Sequence, residues 1–355
     1  MSATGLMELP VAPLHAEPLD AAIARAPQPV HFDVSIIIIS FNTRDLLREC
    51  LTAVLNEVAS LRCEILVVDN ASSDGSADMV AREFPAIQLL RSDINLGFGR
   101  ANNLALARAR GRYYVLLNSD AFLAPGALQR SIAHMDANPT CALGGGLLVG
   151  RDGAMQPSAR SFHSVTGDAI VLTGLAAKFP RSRIFGSFDR TWADARLPSP
   201  VDWVPGAFSI LRPQALRKTG FFDPAFFLYY EEVDLCLRLK RAGYSVWYWP
   251  DVVITHIGGE SSRQLTSLDF SSTAAQVVLW RMRSTLLYYR KHHGIRARLA
   301  FWMERSLYAV SMLRNSFSTD DKRVARKQHF RTQRTLLLQA WKDTDGGRIS
   351  PPRPW

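Results

Sequence analysis

Cysteine is scarce in this chain: Cys50, Cys63, Cys141 and Cys236 are the four thiols among 355 residues. They are scattered, with no CxxC pair and no cluster of cysteine and histidine, so neither a disulfide framework nor a zinc site is expected. Isolated thiols are typical of a reducing compartment. We therefore expect the protein to be cytoplasmic.

The sequence also lacks long apolar runs. No stretch reaches the roughly 18 to 20 apolar residues that a membrane-spanning helix needs. The first residues include Glu8, Glu17 and Asp20 instead of a basic start followed by an apolar block, which is unlike a signal peptide. Residues 1–30 are rich in alanine and proline without periodicity, and we predict a disordered lead-in.

Acidic residues are outnumbered, with 32 Asp and Glu against 42 Lys and Arg and a net charge of +10. This excess favours anionic partners such as nucleic acid, phosphate-bearing substrates or an anionic membrane surface. The sequence contains no stacking motif or recognition helix of a known nucleic-acid-binding type. We therefore expect no nucleic-acid partner.

What the sequence does contain is a run of buried strands alternating with helices. The segments VSIIIIS (34–40), CEILVVD (63–69) and YYVLLNSD (113–120) are nearly continuous in β-branched and apolar residues, as in strands buried on both faces. Amphipathic segments with helical spacing lie between them. This alternation predicts an α/β fold with a parallel sheet. After about residue 140 the pattern changes to shorter strands and loops.

Polar residues follow the ends of successive predicted strands, where ligands of open α/β sheets gather. A helix cap or a turn would explain each cluster alone. Four clusters in succession favour a binding cleft. The candidates are Ser40, Phe41 and Asn42 after the first strand, Asp69 and Asn70 after the second, Asn95, Gly97, Phe98, Arg100 and Asn102 after the third, and Asn118, Ser119 and Asp120 after the fourth.

Asp120 is the candidate cation ligand of this set. A carboxylate at the end of a buried strand, beside short polar side chains, can hold Mg²⁺ or Mn²⁺ together with substrate phosphates. The alternative is structural, since the following AFLAPGAL could begin a helix that Asp120 caps.

A second acidic group lies at Glu231, Glu232 and Asp234, directly after the aromatic segment FFLYY. An apolar wall raises the pKa of a carboxyl and suits it to act as a general base. On a helix Glu231 and Asp234 share a face, whereas Glu232 points elsewhere. The alternative interpretation is that the acids stabilise the start of a helix through its dipole.

Six segments in this order resemble the family 2 glycosyltransferases with a GT-A fold, especially bacterial rhamnosyltransferase-like members. They are VSIIIISFN, ILVVDNASSDGS, NLGFGRANN, LLNSD, GAFSILRPQALRKTGFFDPAFFLYYEEVDLCLRLKRAGY and ITHIGGESS. The resemblance implies an α/β GT-A fold with a mixed sheet flanked by helices over residues 31–265. A C-terminal helical extension would follow.

The resemblance also implies roles for the candidate residues. The segments at Ser40 and Asp69 would hold the nucleotide base and ribose, and NLGFGRANN the ribose and diphosphate. Asp120 stands in the family's DxD metal motif, with Asn118 in place of its first Asp, and His256 would complete the shell of Mg²⁺ or Mn²⁺. Glu232 matches the catalytic base, ranked before Asp234 and then Glu231. Trp203 and Gly206 would line the floor beside the sugar, although Trp203 could equally be a core residue.

The implied reaction is inverting transfer of a sugar, with L-rhamnose from dTDP-rhamnose as the best candidate. The acceptor would be a hydroxyl of a saccharide or of a polyprenyl-linked saccharide in cell-surface polysaccharide synthesis. Asn118 and the replacement of the usual catalytic Asp by Glu232 leave one alternative, a degenerate module that binds nucleotide sugar without turnover.

The C-terminal residues are basic and aromatic. Residues 266–340 are predicted to form amphipathic helices, and residues 341–355 a disordered tail. Alternating basic and apolar side chains suit helices at an anionic membrane surface. That would place the protein at the inner face of the plasma membrane. The alternative is a helical lid packed on the catalytic domain with a basic outer face.

Overall fold

A computed structural model describes residues 32–258, 273–316 and 320–351. Within them the strands are β1 (Phe32–Ser40), β2 (Cys63–Asn70), β3 (Gln88–Ser92), β4 (Gly111–Asn118), β5 (Ala121–Leu123), β6 (Cys141–Val149), β7 (Met155–Gln156), β8 (Ser199–Val201), β9 (Phe208–Leu211) and β10 (Ser245–His256). The helices are α1 (Arg44–Glu57), α2 (Ser76–Glu83), α3 (Phe98–Leu106), α4 (Ala127–Ala137), α5 (Val165–Leu172), α6 (Leu175–Lys178), α7 (Pro213–Thr219), α8 (Glu231–Arg241), α9 (Thr273–His293), α10 (Arg296–Arg314) and α11 (Asp321–Asp343).

The strands form one mixed sheet in the order β3-β2-β1-β4-β9-β6-β10-β5. The first four strands of this order are parallel, as the alternating sequence pattern predicts. β9 then runs antiparallel to both β4 and β6, and β5 runs antiparallel to β10 at the edge. The mixed half begins where the sequence pattern changes, and the predicted α/β class is confirmed.

Both faces of the sheet are covered because the central strands are apolar on both sides. Along β1, Ile36 and Ile38 pack into one buried cluster while Ile37 packs into the other, with Leu66 and Val68 of β2. Successive residues of a strand point to opposite faces, so an unbroken isoleucine run needs a layer on each side. Helices supply both layers.

The C-terminal helices form a smaller core of their own. Leu279, Met282 and Leu286 of α9 pack against Phe301 of α10 and Leu337 of α11. None of the helices in the described ranges combines the length and apolarity needed to cross a bilayer.

Asp234 attaches these helices to the part of the chain that forms the sheet, residues 32–258. Its carboxylate is fully buried and contacts Arg238 at 2.8 Å on its own helix, and Lys291 and His292 on α9 at 2.6 Å each. Burial by itself would raise the pKa of Asp234, but the hydrogen bond from His292 and the charges of Arg238 and Lys291 outweigh it and lower the pKa to about 2. The side chain is a buried ionic clamp between α8 and α9.

The structure corrects the prediction of a disordered tail from residue 341. α11 continues to Asp343, and the next residues pack on the protein: Thr344 is buried, and the Ser350 hydroxyl donates to the carbonyl of Ala225 at 2.7 Å. A glycine- and proline-rich sequence without periodicity gave no sign of this packing, which combines local hydrogen bonds around Thr344 with the remote contact between Ser350 and Ala225. Residues 352–355 and the predicted lead-in, residues 1–30, lie outside the described residues, as do residues 259–272 at the expected domain boundary.

We expect Asp234→Ala to lower the free energy of unfolding by about 3–5 kcal/mol, because it removes the buried carboxylate that Arg238, Lys291 and His292 share, and of these Lys291 keeps its pair with Asp223. The folded-state pKa lies below the unfolded value of about 3.9, so this stabilisation is present above about pH 4 and is lost as the pH falls towards 2. Urea unfolding at pH 7 and pH 3 measures both effects.

Asp194→Ala is the matched control, because Asp194 pairs with Arg196 at the surface, where such pairs contribute little. Equal losses in the two variants at pH 7 would contradict the clamp.

Candidate active site

The carboxyl ends of β1, β2 and β4 meet at one edge of the sheet. Ser40 lies beside Asp69, and Ile39 lies beside Asn118 in the parallel register. The candidates from these strand ends therefore come together, as predicted. Phe41 follows in the turn after β1 and is partly exposed.

A chain of hydroxyl groups joins two of these strand ends. The hydroxyls of Ser40 and Thr43 lie 3.2 Å apart, and those of Thr43 and Ser119 lie 2.8 Å apart. All three side chains are buried. Sequence reasoning missed Thr43, because its role depends on the neighbour that β4 brings across the sheet.

The turns after β1 and β2 hold each other. The backbone N–H of Asn42 donates to the Ser72 hydroxyl at 3.0 Å, and the Asn42 side-chain oxygen accepts from the Ser73 N–H at 2.7 Å. Asp69 accepts from the Ser72 N–H through Oδ2 at 3.1 Å, whereas its buried Oδ1 has no hydrogen-bond partner in the described residues. Because a buried oxygen without a partner is unfavourable, Oδ1 of Asp69 is available to a bound ligand.

The loop before α3 is held by hydrogen bonds from Asn70, which lies at the same edge of the sheet at the end of β2. Asn70 accepts from the Leu96 N–H at 2.7 Å and donates to the Asn95 side chain at 2.9 Å, which in turn accepts from the Gly97 N–H. Gly97 has φ +77°, and a β-carbon there would lie 2.2 Å from the carbonyl oxygen of Phe227. The loop thus packs directly on the segment that leads to α8.

Two further candidates, Arg100 and Asn102, make hydrogen bonds to backbone carbonyl groups. Arg100 donates to the carbonyl of Pro224 at 2.8 Å, and Asn102 donates to the carbonyl of Phe98 at 2.9 Å. Oδ1 of Asn102 remains buried without a partner in the described part of the chain. Sequence reasoning passed over Asn103, whose side chain exchanges two hydrogen bonds with the backbone of Phe222.

Asp120 and His256 lie close together where β4 is followed by β5. The segment after Asp120 is strand β5 and α4 begins only at Ala127, so Asp120 does not cap that helix. Pairing of β5 with β10 brings His256 Nε2 to 3.6 Å from Asp120 Oδ1. Asn118 is the first polar residue of this segment, and its N–H donates to the carbonyl of Ala207 at 3.0 Å.

Gln156 sets the tautomer of His256. Its amide nitrogen donates to the His256 carbonyl at 2.8 Å, so its Oε1 faces His256 Nδ1 at 2.9 Å and accepts the proton there. Nε2 is then left with a lone pair facing the Asp120 carboxylate. Burial lowers the pKa of His256, although the charge of Asp120 opposes this, and the ring stays neutral. An imidazole lone pair beside a carboxylate fits a divalent cation.

A metal ion bound by Asp120 and His256 would need further ligands beyond these two side chains. The described residues contain no group of three or more His, Cys, Asp or Glu side chains that could hold a metal ion. Asp120 and His256 therefore fit a cation that takes its other ligands from substrate phosphates and water, which is how Mg²⁺ is commonly held.

The two residues before the acidic start of α8 have a strained backbone. Tyr229 and Tyr230 adopt φ of +68° and +69°, a left-handed conformation that bulky residues rarely take. Glu231, directly after them, is buried, and burial together with the nearby charge of Glu232 raises its pKa well above the ordinary value. Burial also raises the pKa of Glu232, to about 6. Burial therefore favours the protonated form of Glu231, whereas Glu232, with a pKa of about 6, is largely ionised at neutral pH.

Glu232 borders a cavity of about 270 Å³ between the catalytic half and the C-terminal helices. Trp203 lies in its wall, largely buried, and stacks with Arg160 at 5.1 Å. Asp234 does not border this cavity. The lining residues are Arg160, His163, Asp168, Val171, Leu172, Phe188, Trp203, Tyr229, Tyr230, Glu232, Val233, Arg281, Met282, Thr285 and Glu304.

A short series of contacts links the Asp120 strand to the acidic helix. Asn118 bonds to Ala207, and a β-carbon on the neighbouring Gly206 would lie 3.4 Å from the ring of Phe98. A β-carbon on Gly99, in the first turn of α3, would lie 3.5 Å from Glu231 Cβ. The residues next to the cation candidate and next to the base candidate are therefore linked through the start of α3.

Comparison with known proteins identifies the sequence family. A family model described as Glycosyl transferase family 2 matches residues 35–234. An N-acetylglucosaminyl-diphospho-decaprenol L-rhamnosyltransferase of Mycobacterium tuberculosis is 29% identical over 206 residues, which cover 54% of this chain and 66% of that protein. The rhamnosyltransferase WbbL of Escherichia coli K12 is 26% identical over 268 residues, 72% of this chain and 92% of that protein.

A solved structure has the same fold. The mannosyltransferase PcManGT from Pyrobaculum calidifontis, in complex with GDP-Man and Mn²⁺, superposes with a TM-score of 0.51. The match covers 93% of each chain at 16% identity. This confirms the predicted GT-A fold.

We expect Gly97→Ala to lower the free energy of unfolding by about 1–3 kcal/mol more than Gly153→Ala. Both glycines have φ +77°, but only Gly97 has the Phe227 backbone within contact distance, and a β-carbon on Gly153 would meet nothing within 4 Å. Chemical denaturation of the two variants measures the difference. Equal losses would mean that the loop before α3 does not depend on this close contact.

Proposed function

This chain belongs to glycosyl transferase family 2, and on that premise we propose that it moves L-rhamnose from dTDP-rhamnose to a hydroxyl of a lipid-linked saccharide. The observation that carries the proposal is Glu232, a carboxylate with a pKa of about 6 on the wall of a cavity beside the predicted donor site. The choice of rhamnose rests on the names of the mycobacterial and Escherichia coli relatives.

Glu232 serves as the general base. As the acceptor oxygen attacks the anomeric carbon, Glu232 takes the hydroxyl proton, a bond forms between that oxygen and the carbon, and the bond from the carbon to the diphosphate oxygen breaks. Attack from the face opposite the leaving group inverts the anomeric centre. Glu231 is less suited to this role because it does not border the cavity and its pKa is raised well above the ordinary value, and Asp234 is unsuited because its carboxylate is paired with Lys291 and His292.

The donor lies along the strand ends. Asp69 and Asn70 line the pocket of the base and ribose, with Oδ1 of Asp69 free to accept a hydrogen bond. The loop before α3 holds the ribose and diphosphate. Asp120 and His256 would hold Mg²⁺ or Mn²⁺, and a cation there would supply positive charge beside the diphosphate. The Mn²⁺ and GDP-Man in the structural relative support a cation and a nucleotide sugar.

The acceptor enters the cavity that contains Glu232. Aromatic rings at its wall suit the faces of a sugar, and the polar groups suit its hydroxyls. Asp168 accepts from His163 Nδ1 at 2.9 Å and from the Tyr289 hydroxyl at 2.6 Å, which fixes the orientation of the His163 ring at the cavity wall. Arg281 and Glu304 complete the wall from α9 and α10, so the C-terminal helices help to select the acceptor.

The membrane proposal applies to α10 rather than to the whole basic region. α9 is largely buried, which corresponds to the packed-lid alternative. On α10, Leu299, Trp302 and Leu313 are exposed beside basic residues such as Arg305. Such a face suits the surface of an anionic membrane, where a polyprenyl-linked acceptor would be found at the cytoplasmic side. This places the enzyme in cell-surface polysaccharide synthesis.

We expect Glu232→Gln to lower the rate of transfer by roughly 10²- to 10⁴-fold while dTDP-rhamnose still binds, because the change removes the base and keeps the shape. In the wild type, kcat/KM should rise with pH through about 6 as Glu232 loses its proton. Acceptor-dependent release of dTDP across pH 5–8 measures both. Normal turnover in Glu232→Gln with an inactive Glu231→Gln would contradict the assignment. A wild type that binds dTDP-rhamnose but never releases dTDP would favour the degenerate binding module.

We expect Asp120→Asn to abolish Mn²⁺ binding in the presence of dTDP. Gln156→Ala should weaken it roughly 10- to 100-fold, because the imidazole of His256 loses the group that orients it. Electron paramagnetic resonance of free Mn²⁺ reports the bound fraction. Asp194→Asn, an acid in a surface pair, is the control. Unchanged Mn²⁺ affinity in Asp120→Asn would rule out this cation site.

A further inference from the structure

The segment after α6 exposes an unusual number of large apolar side chains. Phe179, Ile184, Trp192 and Leu197 are 43%, 69%, 36% and 61% exposed within residues 179–197. Trp192 and Leu197 also line an open pocket of about 400 Å³. Exposed apolar residues concentrated in one short segment mark an interaction surface.

Three arginines line the same pocket. Arg183 and Arg190 stand over the ring of Trp192, at 4.9 and 5.6 Å from its centre, and Arg181 lies at the rim. Stacking on an aromatic face fixes a guanidinium group and leaves its N–H edge open to a ligand.

The nearby carboxylates do not neutralise these arginines. Asp189 pairs with Arg160 at 3.1 Å, and Asp194 pairs with Arg196 at 3.0 Å. In the described part of the chain, Arg181, Arg183 and Arg190 have no ion pair. Asp194 also lines the pocket but is paired with Arg196, so the three arginines keep positive charges that repel one another, and an anion in the pocket would relieve that repulsion.

Arg190 shows two further signs of a binding role. Its φ is +50°, a left-handed conformation that is strained in a residue other than glycine. Its Nε is buried and has no hydrogen-bond partner among the described residues, while its other nitrogens reach only the carbonyl of Pro200 at 3.2 Å and the Ser199 hydroxyl at 3.4 Å. A strained backbone therefore holds an unsatisfied donor at a pocket of positive charge.

We propose that this pocket binds the phosphate of an anionic phospholipid headgroup, and that Phe179, Ile184 and Leu197 insert into the bilayer surface around it. Arginine matches the geometry of phosphate oxygens, and apolar side chains beside basic ones are the composition of an interfacial anchor. The site lies in the catalytic half of the chain, outside the basic C-terminal region in which the sequence pattern predicts membrane contact. The inference deepens the proposed membrane association and rests on it.

The test is sedimentation with vesicles of phosphatidylcholine alone or with phosphatidylglycerol. The wild type should bind the anionic vesicles, and binding should weaken with added salt. Arg181→Gln combined with Arg183→Gln should weaken partitioning roughly 10- to 30-fold, from about 1 kcal/mol for each basic residue near the surface. Ile184→Ser should also weaken it.

Two matched controls separate the pocket from general effects. Arg62→Gln combined with Arg82→Gln removes the same charge from exposed ion pairs elsewhere. Ile94→Ser removes an isoleucine that is 66% exposed, close to the 69% of Ile184. Both should bind vesicles nearly as the wild type does.

Three results would overturn the proposal. The first is equal weakening in the Arg181/Arg183 and Arg62/Arg82 double variants. The second is vesicle binding that is lost in Leu299→Ser with Trp302→Ser but not in the pocket variants, which would assign contact to α10 alone. The third is thermal stabilisation by inorganic phosphate that needs Arg183 while vesicles do not bind, which would identify a site for soluble phosphate. Binding of dTDP-rhamnose is measured separately, so loss of the transferase assignment would be recognised on its own.

Discussion

The acidic first turn of α8 is the feature on which the rest of the structure depends. It places three carboxyl groups in three different surroundings. Asp234 is buried among basic side chains that lower its pKa, Glu231 is buried so that its pKa is raised well above the ordinary value, and Glu232 meets a cavity and has a pKa of about 6. Distinct surroundings are how one fold assigns different tasks to like groups. The same turn attaches the C-terminal helices and presents the base.

The sheet imposes the second constraint. Its parallel strands bring their carboxyl ends to one edge, and the antiparallel pairing of β5 with β10 adds His256 beside Asp120. Polar side chains from distant parts of the sequence thereby converge at the end of the sheet. Loops carry the ligand-binding groups, while the isoleucine-rich strands beneath them carry the stability.

Much of the fold followed from local pattern. The buried runs around Ile37 and Val67 specify strands covered on both faces, and the polar residues after them specify a cleft. Patterns of this kind are carried within ten or so residues, so they can be recognised in one sequence. The packed end of the chain could not be recognised, because Ser350 is held by a contact to Ala225, 125 residues away in the chain. Gln156, His163 and Asp168 were missed for the same reason, since each is an ordinary polar residue until its partner is known.

By itself the sequence determined the alternation of strands and helices, the polar strand ends, and the presence of acids behind an aromatic segment. Only the tertiary structure decided which acid could act as a base. Helical spacing paired Glu231 with Asp234, yet protonation depends on burial and on neighbouring charge, and those come from α9 and from the cavity wall. The tautomer of His256 was likewise decided by Gln156, one hundred residues away in the chain. Electrostatic environment is a property of the folded surroundings, which spacing along a chain does not encode.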